Sequence, residues 1–469
     1  MTTSLRSLLL PLALLPLLAP ATQSPDEALV LEARGYLERM VSLDTRNPPG
    51  NELKLVTEVA QHLKRQGVYA QVHPSAPGRG NMVARLSPDG EPAAGPLVLL
   101  AHVDVVPFNE KRWKTPPLTV TEKDGVLFGR GVSDDKGMAA ASVAVMLDLH
   151  RRGAKLRREV SLVLTADEEA SGEAGLERVM DALPDLGAGG VVLTEGGHVE
   201  RGSDDVVRYV GLQRAQKRSM TIKLVAYGEG GHSSQPPKDL AVARLARAIQ
   251  RVSEHRFPVR FSTETREMFT ALANASSLPE AELVKEVARG PESPGFQAAA
   301  DKLSDDPFFH AMLRTTCVVT MLEASDKANV VASTATATLN CRLAAPDEPH
   351  QIAWQMVDIV KDPRVVIERG KSWEPPPASA VGGEVFDVVT AVASRRWPGA
   401  PVVPFVSMGG TDAWTFRARG IPAYGFLPFP MTRDELRAMH GDDERMKVSA
   451  FATGTLALRD VVEALAVRQ

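Results

Sequence analysis

The chain has 469 residues, 44% hydrophobic and 24% charged, with a formal net charge of −4. Cores tend to split beyond ~250–300 residues, so two domains are expected; the apolar fraction excludes general disorder, and the near-balanced charge gives no basic footprint for nucleic acid. Two cysteines exclude a disulfide scaffold and a cysteine-rich zinc module, so any bound metal must be held by His, Asp and Glu.

In chain order, Arg6 precedes an apolar stretch from Leu8 to Leu18 and a small-x-small pattern at Ala19-Pro20-Ala21. This predicts a signal peptide over residues 1–21, cleaved near Ala21, and an exported protein; a retained N-terminal anchor is the alternative. No later segment is long and apolar enough to span a bilayer, so no stable membrane span is expected after cleavage. Asp26 to Val41 places Leu29, Leu31, Leu37 and Val41 at roughly helical spacing, and Asn51 can cap a helix over Leu53–Gln66. Pro96 to Ala101 reads as a buried strand running into His102, and Gly137 to His150 as an Ala-rich helix that packs closely on a sheet. Val160 to Thr165 is a second apolar strand, running into Asp167-Glu168-Glu169, and Val191 to Thr194 a third, running into Glu195. The alternation predicts an α/β fold with a largely parallel sheet flanked by helices.

His102, Glu168, Glu169 and Glu195 thus fall just past the carboxyl ends of strands, the edge where open α/β sheets bind ligands. Any one of them alone reads as a surface loop residue. Three strands all ending in metal-ligand types do not.

The middle of the chain changes character. Ser219–Tyr227, Thr316–Leu322 and Thr334–Leu343 read as strands, with a helix over Asp239–His255, which suggests a smaller antiparallel α+β domain inserted into the first. Residues 256–314 read as helical pieces decorating that insert. From about Gln351 the α/β pattern resumes, with helices at Glu384–Arg396 and Val448–Val467. The expected division is signal peptide 1–21, main domain 22–212, insert 213–350, and main domain again 351–469. Thr334 to Leu343 alternates cleanly, putting Thr336, Thr338, Asn340 and Arg342 on a polar face and Cys341 on an apolar one. An exported location allows a Cys317–Cys341 disulfide; two reduced core thiols are the expectation.

Three local clusters carry chemistry. In His102-Val-Asp104, alternation points both polar side chains one way, and an aspartate there can fix the tautomer of a metal-bound histidine. The glycines of Gly129-Arg-Gly131 and Gly137 allow tight turns that place Asp134 at the start of the Ala-rich helix; Ser133 or Asp134 as a simple helix N-cap is the plainer reading. Asp167-Glu168-Glu169 crowds carboxylates that, beside dications, supply both a ligand and a general base.

Together with Glu195-Gly-Gly197, Gly231-His232-Ser-Ser and His440-Gly, these clusters resemble, in order, the motifs of the co-catalytic zinc aminoacylase/carboxypeptidase family. Trp113-Lys-Thr-Pro-Pro117 and Asp124-Gly125 look most like its aminoacylase-1/carboxypeptidase S branch. The ordered motifs extend from about residue 30 to 465. The resemblance implies a catalytic domain with an inserted lid or dimerisation domain, a homodimer through that insert, and two Zn2+ per subunit, with Co2+ or Mn2+ as substitutes. His102 and Glu195 would hold one zinc, Glu169 and His440 the other, and Asp134 would bridge them. Glu168 would be the general base, Asp104 the partner of His102, and His232 an oxyanion donor reaching the site by domain closure or from a second subunit. Arg342 would grip a substrate carboxylate, with Asn329 and the Gly409-Gly410-Thr411 loop beside it. The implied activity is hydrolysis of an amide bond in N-acyl amino acids or short peptides at the residue bearing a free carboxylate. A dipeptidase is the nearest alternative. A non-catalytic binding protein would be expected to have lost a ligand or Glu168, and an esterase using Ser407 or Ser133 lacks a Gly-x-Ser-x-Gly elbow. Two departures stand out: Gln216-Lys217-Arg218 lies where the family opens its insert with Glu-Lys-Gly, and Thr194-Glu195 replaces the branch's Asp-Glu.

Overall fold

A computed structural model describes residues 24–468; the expected signal segment, residues 1–21, lies outside the described residues. Ser24 caps the first helix, Pro25–Val41: its hydroxyl accepts from the Glu27 amide, and the Glu27 carboxylate accepts the Ser24 amide in return. Leu29, Ala33, Leu37 and Val41, four residues apart, form its buried stripe. The helix Glu52–Arg65 follows Asn51 as expected, but the Asn51 side chain makes no capping bond. The Leu53 amide is taken instead by the Gly78 carbonyl at 3.1 Å, so a neighbouring turn does the work expected of the cap.

The strands, in chain order, are β1 (Tyr69–Ala76), β2 (Arg79–Leu86), β3 (Leu97–His102), β4 (Thr121–Lys123), β5 (Val126–Phe128), β6 (Val160–Thr165), β7 (Val191–Arg201), β8 (Val207–Gln216) and β9 (Arg218–Tyr227). There follow β10 (Gly231–His232), β11 (Thr316–Glu323), β12 (Val330–Val331), β13 (Thr334–Leu343), β14 (Val365–Ser372), β15 (Val402–Ser407), β16 (Ala423–Met431) and β17 (Arg445–Lys447). An eight-stranded sheet runs β1-β2-β6-β3-β7-β16-β8-β15, parallel through β6, β3, β7 and β16 and again between β8 and β15. Strand β3 shows why it is buried on both sides. Leu97, Leu99 and Ala101 face the layer containing the helices Pro25–Val41, Lys136–Arg151 and Val448–Ala466, while Val98 and Leu100 face Leu176, Val179 and Phe416. Ala139, Ala140, Ala141 and Ala144 keep the Lys136–Arg151 helix thin enough to sit under the sheet with Lys136 to Leu147 buried.

A second sheet, β11-β13-β9-β14, is antiparallel throughout. Strand β13 buries Ala335, Ala337, Leu339, Cys341 and Leu343 against the helices Ala241–Glu254 and Pro349–Val360, as its alternation predicts. The structure corrects three expectations here. The return to the large sheet was expected near Gln351, but the Pro349–Val360 helix and β14 belong to the small sheet, because β14 pairs with β9 along Val365–Arg369. The helical pieces of residues 256–314 do not decorate the insert's core. Met268, Phe269, Leu272, Phe296, Leu303 and Phe309 pack instead with Tyr209, Val403 and Phe405 on the edge of the large sheet. Cys317 and Cys341 face each other across β11 and β13 with Cα atoms 4.0 Å apart and are joined in a disulfide. Strand register, which sets that proximity, is not visible in either strand alone. No helix among the described residues is long and apolar enough to cross a membrane.

Candidate metal centre and substrate cleft

The strand ends deliver the expected residues to one place. His102 closes β3, and the turn after β6 carries Glu168 and Glu169. The third strand departs from expectation: β7 continues through Glu195 to Arg201 rather than stopping at Thr194. Its pairing with β16 shifts register just beyond Glu195, and Gly196, at φ +106°, makes the bend. A Cβ there would meet Gln213 Oε1 at 2.5 Å and Thr411 Cγ2 at 2.8 Å, so only glycine lets the glycine-rich loop approach. Asp134 lies at the start of the Lys136–Arg151 helix, whose N-cap position is Asp135 with no side-chain capping bond; the N-cap reading of Ser133 or Asp134 is set aside.

Two groups of ligand atoms result, each within 4.8 Å of one another: His102, Asp134 and Glu195, and Asp134, Glu169 and His440. Asp134 belongs to both. Its Oδ1 lies 3.0 Å from His102 Nε2 and its Oδ2 3.0 Å from His440 Nε2, while Glu169 Oε2 lies 3.1 Å from His440 Nε2. The electrostatics fit cations. Hydrogen bonds to Asp134 and Glu169 push the His440 imidazole up to about 11. Burial, then the charge of Glu195, pushes Glu168 well above the usual carboxylate range; burial, then Asp134, does the same to Glu195. Both carboxylate oxygens of Asp135 are buried with no hydrogen-bond partner among the described residues. Three carboxylates and two imidazoles converging at this spacing suit a pair of divalent cations sharing one aspartate.

Asp104 does more than expected. Its carboxylate stands 3.4 Å from His102 Nδ1, accepts the Asn47 amide at 2.8 Å, and accepts the backbone N–H groups of Glu168 and Glu169 at 3.2 and 3.1 Å. One buried carboxylate thus contacts His102 of one group and pins the turn carrying Glu168 and, from the other group, Glu169. Asp167, at φ +65°, is held by Asn47, Arg79, Ser171 and the Ala174 amide. Sequence reasoning missed Asn47 and Arg79, and nothing in their neighbourhoods signalled them.

A cleft of about 470 Å³ opens beside these groups, and Glu168, Glu169, His440, Asn340, Arg342, Trp373 and Trp414 line it. Gly409, Gly410 and Thr411 line it, and so do Asp412, at the end of the same loop, and Lys217, for neither of which a role was expected. Burial pushes Asp412 up to about 6 and Lys217 down to about 7. Arg342 donates to Asn340 Oδ1 at 3.1 Å and forms no ion pair with a carboxylate among the described residues. His232 and Asn329 do not line the cleft. They lie together on the ribbon β10–β12, where His232 faces Val330 and the Ser233 amide donates to the Asn329 carbonyl at 3.0 Å. His232 is exposed, its Nδ1 2.8 Å from Ser234 Oγ.

Residues 98–464 match Peptidase family M20/M25/M40. The chain belongs to this family. It is 31% identical to the N-fatty-acyl-amino acid synthase/hydrolase PM20D1 of Xenopus tropicalis over 76% of this chain and 70% of that protein. It is 29% identical to a probable carboxypeptidase S-like protein of Dictyostelium discoideum, over 76% of this chain and 69% of the other. In fold it is similar to an M20 family metallo-carboxypeptidase of Sulfolobus solfataricus, with a TM-score of 0.67, 18% identity, and coverage of 92% of this chain and 99% of that one. The M20 membership makes the protein a metallo-peptidase or amidohydrolase, in line with the resemblance carried by its motifs.

Proposed function

We propose that this M20 protein is an exported, zinc-dependent hydrolase that cleaves the amide bond of N-acyl amino acids or short peptides carrying a free α-carboxylate. The observation that carries the reading is that Glu168, beside the paired ligand groups, lines the same cleft as Arg342, a half-buried guanidinium without a carboxylate partner among the described residues. A planar fork of donors matches a carboxylate in two hydrogen bonds. His102, Asp134 and Glu195 would hold one cation, and Asp134, Glu169 and His440 the other; when bound, they would supply Lewis-acid polarisation and acidify an attacking water. Glu168 would take the proton from that water and deliver it to the leaving nitrogen as the C–N bond breaks. Its raised proton affinity suits it to carry the proton between the two events. Trp373 and Trp414, edge to face at 6.3 Å beside Pro375, give the cleft an apolar wall that favours an apolar acyl group or side chain. This agrees with the acyl-amino acid activity in the name of PM20D1. The Cys317–Cys341 disulfide supports export, since such bonds persist in oxidising compartments.

The test is hydrolysis of matched substrates with a free and an amidated carboxyl group. Arg342→Ala should weaken binding of the free acid by about 10- to 100-fold, the size expected for a charge-assisted pair, and change the amidated substrate little. Equal loss on both would remove Arg342 from the pocket.

A further inference from the structure

His440 is the exposed member of its ligand group, with 62% of its side chain open to solvent, against 2% for His102. It sits in a loop between the helix Arg433–Arg437 and β17, so neither a sheet nor a helix fixes it. The buried side chain that reaches its flanking backbone is Arg130, from the Gly129-Arg-Gly131 turn some 300 residues earlier. This guanidinium is 1% exposed. It donates through Nη1 to the Met439 carbonyl and through Nη2 to the Gly441 carbonyl at 2.7 Å, the two residues flanking His440. Nη1 also reaches Glu444 Oε2 at 2.8 Å, and the guanidinium lies 5.2 Å over the Trp113 ring.

Glu444, fully buried, completes the arrangement. Besides Arg130 it accepts the Gly131 and Ser133 amides and the Ser133 hydroxyl, each at 2.8 Å, and the Asp134 amide at 3.1 Å. The loop presenting Asp134 and the loop presenting His440 are thus tied through one buried ion pair. An ion pair this deep costs desolvation and is kept only where its geometry is used. Here every hydrogen bond named falls on the backbone of a ligand loop, on Ser133, or on the partner of the pair.

We propose that Arg130 is a positioning residue for His440, holding the His440 backbone so that the group Asp134–Glu169–His440 is formed before its cation arrives. This rests on the two-cation reading above. Arg130 touches neither ligand atoms nor the cleft, so its effect must pass through the Met439 and Gly441 carbonyls.

The experiment is metal binding, measured as bound cation per chain in a series of chelator concentrations. In Arg130→Lys the ammonium can still pair with Glu444 but cannot fork to two carbonyls. One cation should bind about 10- to 100-fold more weakly, the usual effect of removing a partner that orients a ligand, while the other keeps its affinity. His440→Ala should lose the same cation, and adding Arg130→Lys to it should cost little more, because the two changes act on one contact chain. Trp113→Leu, which withdraws the ring beneath the guanidinium and leaves the fork, should weaken that cation less; it also serves if Arg130→Lys does not fold. Unchanged affinity in both variants would overturn the proposal, as would equal weakening of both cations or an additive double variant. If the unaltered protein binds fewer than two cations per chain, the two-cation reading itself fails, a result distinct from any of these.

Discussion

Glu168 belongs to neither ligand group, yet its backbone is pinned by the same Asp104 that orients His102. That arrangement keeps Glu168, the proposed base, apart from the ligand groups while fixing their spacing. Glu168→Gln keeps the shape and the backbone contacts and removes only the proton-carrying oxygen. Turnover should fall by about 10²–10⁴-fold, the range for loss of a general base, with metal content per chain unchanged. Loss of about one cation per chain in that variant would make Glu168 a ligand instead. Asp412 and Lys217, also in the cleft, show the same environment acting on other groups: burial raises the acid and lowers the base, so both shift toward their neutral forms.

Among the elements, β13 joins the two purposes of the small sheet. One face buries Leu339, Cys341 and Leu343 in the insert's core, while the other carries Asn340 and Arg342 to the cleft. Its pairing with β11 is reinforced by the disulfide, which closes a loop of 24 residues. A cross-link of that span typically contributes about 2–4 kcal/mol by restricting the unfolded chain. The double variant Cys317→Ala/Cys341→Ala should therefore be less stable by about that amount in urea denaturation. Reductant should destabilise the unaltered protein and leave the variant unmoved. A reductant-insensitive parent would show the thiols to be reduced.

At the scale of the whole molecule, the ribbon β10–β12 is the feature without a local purpose. It carries His232 and Asn329 outside the cleft, two residues expected to act in it. Domain closure or a second subunit would bring them there. The edge strand β11 exposes Val318, Met321 and Leu322, a surface suited to a partner copy. If His232 serves the partner's cleft, His232→Ala should lower kcat by about 10²–10³, the worth of one oxyanion donor, without loss of metal. Mixing it with Glu168→Gln chains should then restore activity, since a hybrid dimer has one cleft with both residues intact. No recovery in a mixture shown to exchange subunits would place His232 in its own chain's site.

The sequence by itself determined the α/β class and both faces of β13; the five expected ligand positions came from the resemblance of its ordered motifs, and the fold brings those residues together. The strands are local facts: an apolar strand records its own burial, and a polar residue just past its end marks the edge of the sheet. The pairing of distant segments was decided only in three dimensions. The helices of residues 256–314 carry apolar stripes that require a partner but do not specify one, and the edge of the large sheet supplied it. Strand β14 has the pattern of either sheet, and hydrogen bonds to β9 assigned it. The disulfide waited on the register of β11 against β13. Arg130 stands inside the Gly129-Arg-Gly131 motif and Glu444 lies just past His440-Gly, yet 314 residues separate them. A buried ion pair leaves no periodic trace in a chain, because its stability comes from two backbones meeting where water is excluded, and that meeting is a property of the folded molecule alone.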